Sequence, residues 1–182
     1  SVTWRVVGMT AVMQGLFFPA LWPAYAEAYA RGDYTWVRRA FRITFRGTMA
    51  LNLVFAALLL ALGRTVIRWW AGPFAVPSLS LLGAMALWAI ISGAMTVESC
   101  LLAAVNRTRE QGVLSVVAAG LNLGLSIVLV QRVGPLGVIV GTILSYLIVL
   151  VVPQSLMVRS VLKAESSSVG LQNSQLPATS YQ

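Results

Sequence analysis

Four arginines recur at helical spacing in the segment RRAFRITFR: Arg38, Arg39, Arg42 and Arg46. Residues three or four positions apart lie on one side of a helix, so several of these guanidinium groups would face the same way. A guanidinium can donate paired hydrogen bonds to phosphate oxygens, so the set predicts a binding site for an anionic headgroup. Anchoring at an anionic lipid surface, which contributes about 1 kcal/mol per basic residue, is the second interpretation of the same pattern.

Glu98 lies within the apolar segment SGAMTVESCLLAAVN. A carboxylate at the centre of a bilayer costs about 2.5 to 3.5 kcal/mol on insertion scales, so it persists where it lines a cavity, pairs with a cation or relays a proton. One hypothesis is therefore a cavity or ion-coupling role for Glu98. The alternatives are a side chain that reaches toward headgroup water from near the end of its helix, or a structural pair with Arg107 or Arg109.

Pro19 and Pro23 interrupt the first apolar segment four residues apart. Each proline removes a backbone donor and crowds the preceding turn, so a bend is expected there. Such bends act as hinges in transporters, and they also occur as plain packing devices in membrane helices. Both interpretations apply to this pair.

Two GxxxG pairs occur near the end of the chain, Gly120 with Gly124 and Gly137 with Gly141. Small residues at this spacing let two helix backbones approach closely, so the last two helices are expected to form a tightly packed hairpin. Asn122, on the same helix as the first pair, is expected to supply a hydrogen bond between the two helices.

The composition excludes several common kinds of enzyme active site. Of the 182 residues 58% are hydrophobic and 10% are charged, whereas a soluble domain is about a quarter charged. The chain has no histidine and one cysteine, Cys100, which leaves no histidine acid–base pair, no Cys/His metal cluster and no internal disulfide. We therefore expect no enzyme, no metal and no cofactor. The net charge of +8 is attributed to lipid contact and not to nucleic acid.

Five apolar stretches are long enough to cross a membrane, which takes about 20 helical residues. They cover residues 6–29, 47–67, 79–105, 113–130 and 136–158. Because they lack the alternation of barrel strands, the predicted fold is an all-α polytopic membrane bundle over residues 1–163. The polar residues 164–182 are expected to form a disordered tail.

The distribution of basic residues predicts the orientation of the bundle. With short connectors the helices alternate in direction, which places nine basic residues on one side and four on the other. The nine are Arg31, Arg38, Arg39, Arg42, Arg46, Arg107, Arg109, Arg159 and Lys163, and the four are Arg5, Arg64, Arg68 and Arg132. The richer side is predicted to be cytoplasmic, with the C-terminus on that side. Glu27 and Asp33 are expected to offset some of the charge or to cap a helix.

Several motifs, taken in order, resemble the C-terminal part of a polysaccharide-transport flippase of the O-antigen type. That family belongs to the superfamily of multidrug, oligosaccharidyl-lipid and polysaccharide exporters. The motifs are LWPAYAEAYARGDYTWVRRAFR at Leu21 to Arg42, IRWWAGP at Ile67 to Pro73, NRTREQ at Asn106 to Gln111, and LNLGLSIVLVQRVGPLGVIVGTILSYL at Leu121 to Leu147.

The resemblance implies a carrier with two helical lobes in the bacterial inner membrane. Such a carrier moves a polyprenyl-pyrophosphate-linked oligosaccharide between leaflets for surface polysaccharide synthesis. Five spans are fewer than one lobe of such a carrier, so the chain is expected to be part of a longer protein whose other helices are its partners, together with the glycolipid and anionic lipids. The alternatives are a multidrug-type cation exporter, a structural membrane module without transport activity, and a membrane glycosyltransferase, for which no paired carboxylates are evident.

Overall fold

The computed structural model describes residues 21–72 and 76–174. All regular structure in these ranges is helical, so the predicted all-α class is confirmed. Pro19 and most of the predicted span 6–29 lie outside the described residues, whereas Pro23 is exposed near the start of the first described helical segment. The bend expected between the two prolines therefore stays a prediction.

The chain forms six helical segments in the described ranges. They are α1 over residues 21–30, α2 Tyr34–Ala71, α3 Leu79–Ala104, α4 Thr108–Val133, α5 Pro135–Tyr146 and α6 Val152–Ser174. A π-helical turn, Leu147–Val151, joins α5 to α6 without a break. Four stretches of the described residues are long and apolar enough to cross a membrane: Tyr34–Trp70, Leu79–Ala104, Thr108–Val133 and Pro135–Lys163.

Helix α2 is longer than a bilayer requires. Its 38 residues correspond to about 57 Å at 1.5 Å per residue, against a hydrocarbon core of about 30 Å. The apolar part between Arg46 and Arg64 covers about 27 Å by the same rise, so it matches the core by itself. The basic segment 34–46, which the sequence places in a connector, is thus the first part of the same helix and extends beyond the hydrocarbon.

Local sequence signals explain where the helices begin and turn. Asp33 caps α2, accepting a hydrogen bond of 3.0 Å from the backbone N–H of Trp36, as expected for an acidic residue at this end of a helix. Ser78 caps α3 in the same way, with Leu81 as the donor. Gly134 takes a positive φ of 65° and is followed by a proline at the first position of α5, which makes the turn between α4 and α5 tight.

The helices pack around two buried clusters at opposite ends of the bundle. One cluster joins α2 to α3 and includes Leu59, Ile67 and Leu82. The other joins α1, α2, α3 and α6 at the end where the basic residues gather, and includes Tyr25 and Leu101. The second cluster fixes the middle of α6 beside the first part of α2, which is the arrangement that forms the candidate site.

Helices α4 and α5 form the expected hairpin, but only one of the two glycine pairs lies in the contact between the helices. A Cβ at Gly137 would overlap the backbone of Leu129, and one at Gly141 would crowd Ser126, whereas Gly120 and Gly124 have nothing within 4 Å. The first pair therefore faces away from the described helices. The hydrogen bond expected from Asn122 is present, because its Oδ1 accepts from the Thr142 hydroxyl at 3.1 Å.

The backbone of α6 continues to Ser174, into the segment for which the sequence predicts a disordered tail. Residues 164–174 are thus helical in the structure. Residues 175–182 lie outside the described ranges.

Candidate functional site: a basic cleft and a buried carboxylate

A cleft of about 530 Å³ lies between the first part of α2 and the middle of α6. Its polar walls are basic: Arg38, Arg42 and Arg46 come from α2, and Arg159 and Lys163 come from α6. No acidic residue lines it among the described residues. Five cations around one depression create a strongly positive potential, so the cleft can attract and hold an anion.

The three α2 arginines share one face because they are four residues apart, which is close to one helical turn. They form a ladder with a rise of about 6 Å between neighbours along the helix axis. Arg46 stands where the apolar part of α2 ends, and Arg38 lies about 12 Å farther from the hydrocarbon by the same rise. The ladder therefore spans the depth at which lipid headgroups lie.

Apolar side chains complete the cleft. Phe41, Phe45 and Leu162 line it alongside the cations, and the two phenylalanine rings are 5.7 Å apart. A ligand that fits this surface would combine an anionic group with a hydrocarbon part. A phosphate attached to a lipid chain has both properties.

Arg38 has a different role from its neighbours. Its guanidinium donates a hydrogen bond to the backbone carbonyl of Leu162, so it ties α2 to α6 across the cleft. Arg42 and Arg46 are exposed. The latter two are thus the α2 side chains best placed to bind an anion.

Arg39 does not belong to the cleft, although the sequence groups it with the other three arginines. It lines a separate groove with Trp36 and Ile43. Its position one residue after Arg38 turns it about 100° around the helix, which is enough to leave the shared face.

Arg159 and Lys163 are the cleft residues that sequence reasoning did not include in the site. Both were assigned to the same side of the membrane as the arginines of α2, but their separation of more than a hundred residues hid the contact. Their spacing of four residues repeats that of the α2 ladder. This repeat is the signal by which a second basic face could have been found.

Glu98 lies inside the bundle and does not reach toward water. It is 7% exposed, and its Oε1 accepts a hydrogen bond of 3.0 Å from the Ser155 hydroxyl on α6. No ion pair joins it to Arg107 or Arg109, both of which are exposed in the described part of the chain. Because Glu98 is buried, its side chain does not reach headgroup water as one interpretation predicted. Because no ion pair joins Glu98 to Arg107 or Arg109, the predicted structural pair is not present either.

Neighbouring polar groups extend the contact around Glu98. Gln154 Nε2 donates to the Ser99 hydroxyl at 3.4 Å, and Gln111 Nε2 donates to the Ser99 carbonyl at 3.2 Å. These two hydrogen bonds therefore link α3 to both α4 and α6. Glu27 lies elsewhere, in an exposed ion pair of 2.9 Å with Arg31, as its predicted charge-offsetting role requires.

No protein-family model, curated protein or solved structure matches this chain.

Proposed function

We propose that this chain is part of a multi-pass transporter that moves a polyprenyl-pyrophosphate-linked oligosaccharide across the bacterial inner membrane. The observation that carries the proposal is the basic cleft between α2 and α6, with five cations and two phenylalanines around about 530 Å³. Paired donors of Arg42 and Arg46 suit a pyrophosphate, and the aromatic side suits the first part of a hydrocarbon chain. The four apolar helices fit a multi-pass membrane protein, and the motif resemblance supports the transport assignment.

The charge of the cleft favours this substrate over an organic cation. A multidrug-type exporter of cations would need acidic groups around its binding cavity, whereas the described residues lining this cleft carry positive charge alone. The remaining helices of a two-lobed carrier are inferred to come from outside this chain. We place the cleft on the cytoplasmic side, where the substrate would be loaded, because that side has the greater number of basic residues.

The test compares two triple variants of the full-length protein that contains this chain, reconstituted in lipid vesicles. The first replaces the cleft arginines Arg42, Arg46 and Arg159 by glutamine. The matched control replaces three arginines outside the cleft, Arg39, Arg107 and Arg109, and so removes the same charge from the same end. The measurement is the rate at which a fluorescent polyprenyl-pyrophosphate glycan changes leaflet, at equal amounts of inserted protein.

We expect the cleft variant to lose at least about 10-fold in rate, which corresponds to the loss of a single charge-assisted hydrogen bond of roughly 1.4 kcal/mol or more. The control variant is expected to change by less than about 2-fold, since surface charges outside the site contribute little. Equal losses in both variants would show that the arginines act only as membrane anchors. A wild-type protein that moves no glycolipid would refute the transport assignment itself.

A further inference from the structure

The two walls of the basic cleft repel each other. Arg38, Arg42 and Arg46 face the cleft from α2, and Arg159 and Lys163 face it from α6. No acidic residue lines the cleft among the described residues, so these charges are not offset locally. Like charges near a protein surface repel more strongly than in bulk water, and here they stand on both sides of one gap. The charge of the cleft therefore pushes α2 and α6 apart.

A hydrogen bond between Arg38 and Leu162 crosses the cleft and opposes this repulsion. The guanidinium of Arg38 on α2 donates to the backbone carbonyl of Leu162 on α6, and the bond is partly buried. Leu162 lies in the middle of α6, where a carbonyl oxygen with two lone pairs can accept a side-chain donor in addition to a helical N–H. Because the acceptor is neutral, the bond leaves the positive charge of Arg38 in place. It resists the repulsion without reducing it.

Apolar packing joins the two helices on the buried side of this bond. Val37 precedes Arg38, Val161 precedes Leu162, and both valines belong to the same buried cluster. Arg42, one turn farther along the α2 wall, is exposed. The cluster thus holds the helices together at the buried side of the cleft, and the width of its open side depends on the Arg38–Leu162 bond.

We propose that Arg38 is the positioning residue of the cleft, whose bond to Leu162 holds the two basic walls at the width that an anion requires, against their mutual repulsion. An anion bound between Arg42 and Arg159 offsets the same repulsion and stabilises the same arrangement. The empty cleft is then already shaped for its ligand, so less ordering is needed on binding. The part of the anion rests on the proposed function, whereas the positioning role of Arg38 does not.

The direction of a change in width separates this role from a purely electrostatic one. Arg38→Gln removes one positive charge and leaves a shorter side chain in place of the long guanidinium arm. If Arg38 acted through its charge alone, this change would weaken the repulsion and narrow the cleft. Loss of the bond to Leu162 widens it instead. Arg42→Gln is the matched control, because it removes the same charge from the same wall, one turn away, and leaves the bond intact.

The width is measured between spin labels at Thr35→Cys and Ser160→Cys, two exposed positions on α2 and α6, in a Cys100→Ser background. The full-length protein that contains this chain is placed in lipid nanodiscs, and label separations are recorded by double electron–electron resonance. The sodium chloride concentration is about 0.1 M or about 1 M, which shortens the screening length from about 10 Å to about 3 Å.

At the lower salt concentration we expect Arg38→Gln to increase the population with longer separations by about 10-fold or more, as the loss of a hydrogen bond from a charged donor implies. The higher salt concentration is expected to return most of this population to the wild-type separation, because it screens the repulsion. Arg42→Gln is expected to match wild type or to shorten the separation. Arg38→Met retains a long apolar side chain at this partly buried position, and it keeps the test decisive if Arg38→Gln folds poorly.

Inorganic pyrophosphate is then added to Arg38→Gln at the lower salt concentration, with sodium chloride of equal ionic strength as the control. We expect pyrophosphate to restore the wild-type separation more fully than the control salt does. Equal effects of the two salts would leave the positioning role supported and would count against the anion site of the proposed function.

Two results would overturn the proposal. One is a separation in Arg38→Gln and Arg38→Met that equals the wild-type value or is shorter at the lower salt concentration. The other is an equal widening in Arg42→Gln, which would show that the loss of any arginine from this wall loosens α6.

Discussion

Gly93 on α3 lies against the side-chain amide of Asn52 on α2, so closely that a methyl group at position 93 would overlap the amide. Asn52 is 2% exposed, and its Nδ2 donates to the carbonyl of Thr48 at 2.8 Å. The absence of a side chain at Gly93 thus allows α2 and α3 to approach while a polar group stays buried and hydrogen-bonded between them.

Gly93→Ala is therefore expected to reduce the free energy of unfolding by about 1 to 3 kcal/mol, since the added methyl displaces a buried amide. Gly83→Ala on the same helix is the control, because nothing lies within 4 Å of that position. The control is expected to be neutral or stabilising by up to about 1 kcal/mol through helix propensity. The measurement is unfolding by a denaturing detergent in mixed micelles, and equal effects of both changes would contradict the contact.

In the α4–α5 hairpin, substitution of two glycines by alanine is expected to have different effects on stability. Gly137→Ala places a methyl against the backbone of Leu129, which cannot rotate away, so a loss of about 2 kcal/mol or more is expected. Gly124→Ala meets open space among the described residues and, like Gly83→Ala, is expected to be neutral or stabilising by up to about 1 kcal/mol. A loss of about 2 kcal/mol or more at position 124 would instead indicate that a further helix or another protein covers this face.

The predicted orientation can be tested with single cysteines in a Cys100→Ser background. Leu79→Cys at the start of α3 and Arg109→Cys at the start of α4 lie at opposite ends of neighbouring helices, and both positions are exposed. Excess basic residues mark the cytoplasmic side, so an impermeant maleimide added to intact cells is expected to label position 79 and not position 109. The reverse labelling pattern would invert the assigned topology.

Arg159 lies between the two candidate sites, since it lines the basic cleft and follows by one helical turn Ser155, whose hydroxyl donates to Glu98. Neutralising Glu98 removes an attraction that competes with an anion for this guanidinium. Glu98→Gln is therefore expected to raise the affinity of the cleft for inorganic pyrophosphate by about 5-fold, the lower end of the usual range of coupling between sites. Calorimetric titration measures the change, and its persistence in an Arg159→Gln background would show that another path carries it.

The sequence predicted the helical class and the hairpin contact of Asn122 because both depend on local signals. Long apolar runs must be helical in lipid, and an amide on an apolar helix beside a GxxxG pair is expected to bond to the neighbouring helix. Which residues line the basic cleft was only partly predictable from the sequence. Arg39 was grouped by sequence proximity, and the α6 cations were left out because spacing alone does not reveal which helix ends meet.

The two walls of the basic cleft belong to helices that differ in regularity. One wall belongs to α2, which runs unbroken from Tyr34 to Ala71 and ends in the exposed Trp69 and Trp70. The other belongs to α6, which follows a π-helical turn and has Pro153 as its second residue, where the backbone has no N–H to donate. A bend at the π-turn and Pro153 would move α6 away from the unbroken α2 and so widen the cleft. Spin labels at Ile43 and Ser160 are therefore expected to report separations that change with the bend at Pro153, while labels within α2 keep a constant distance.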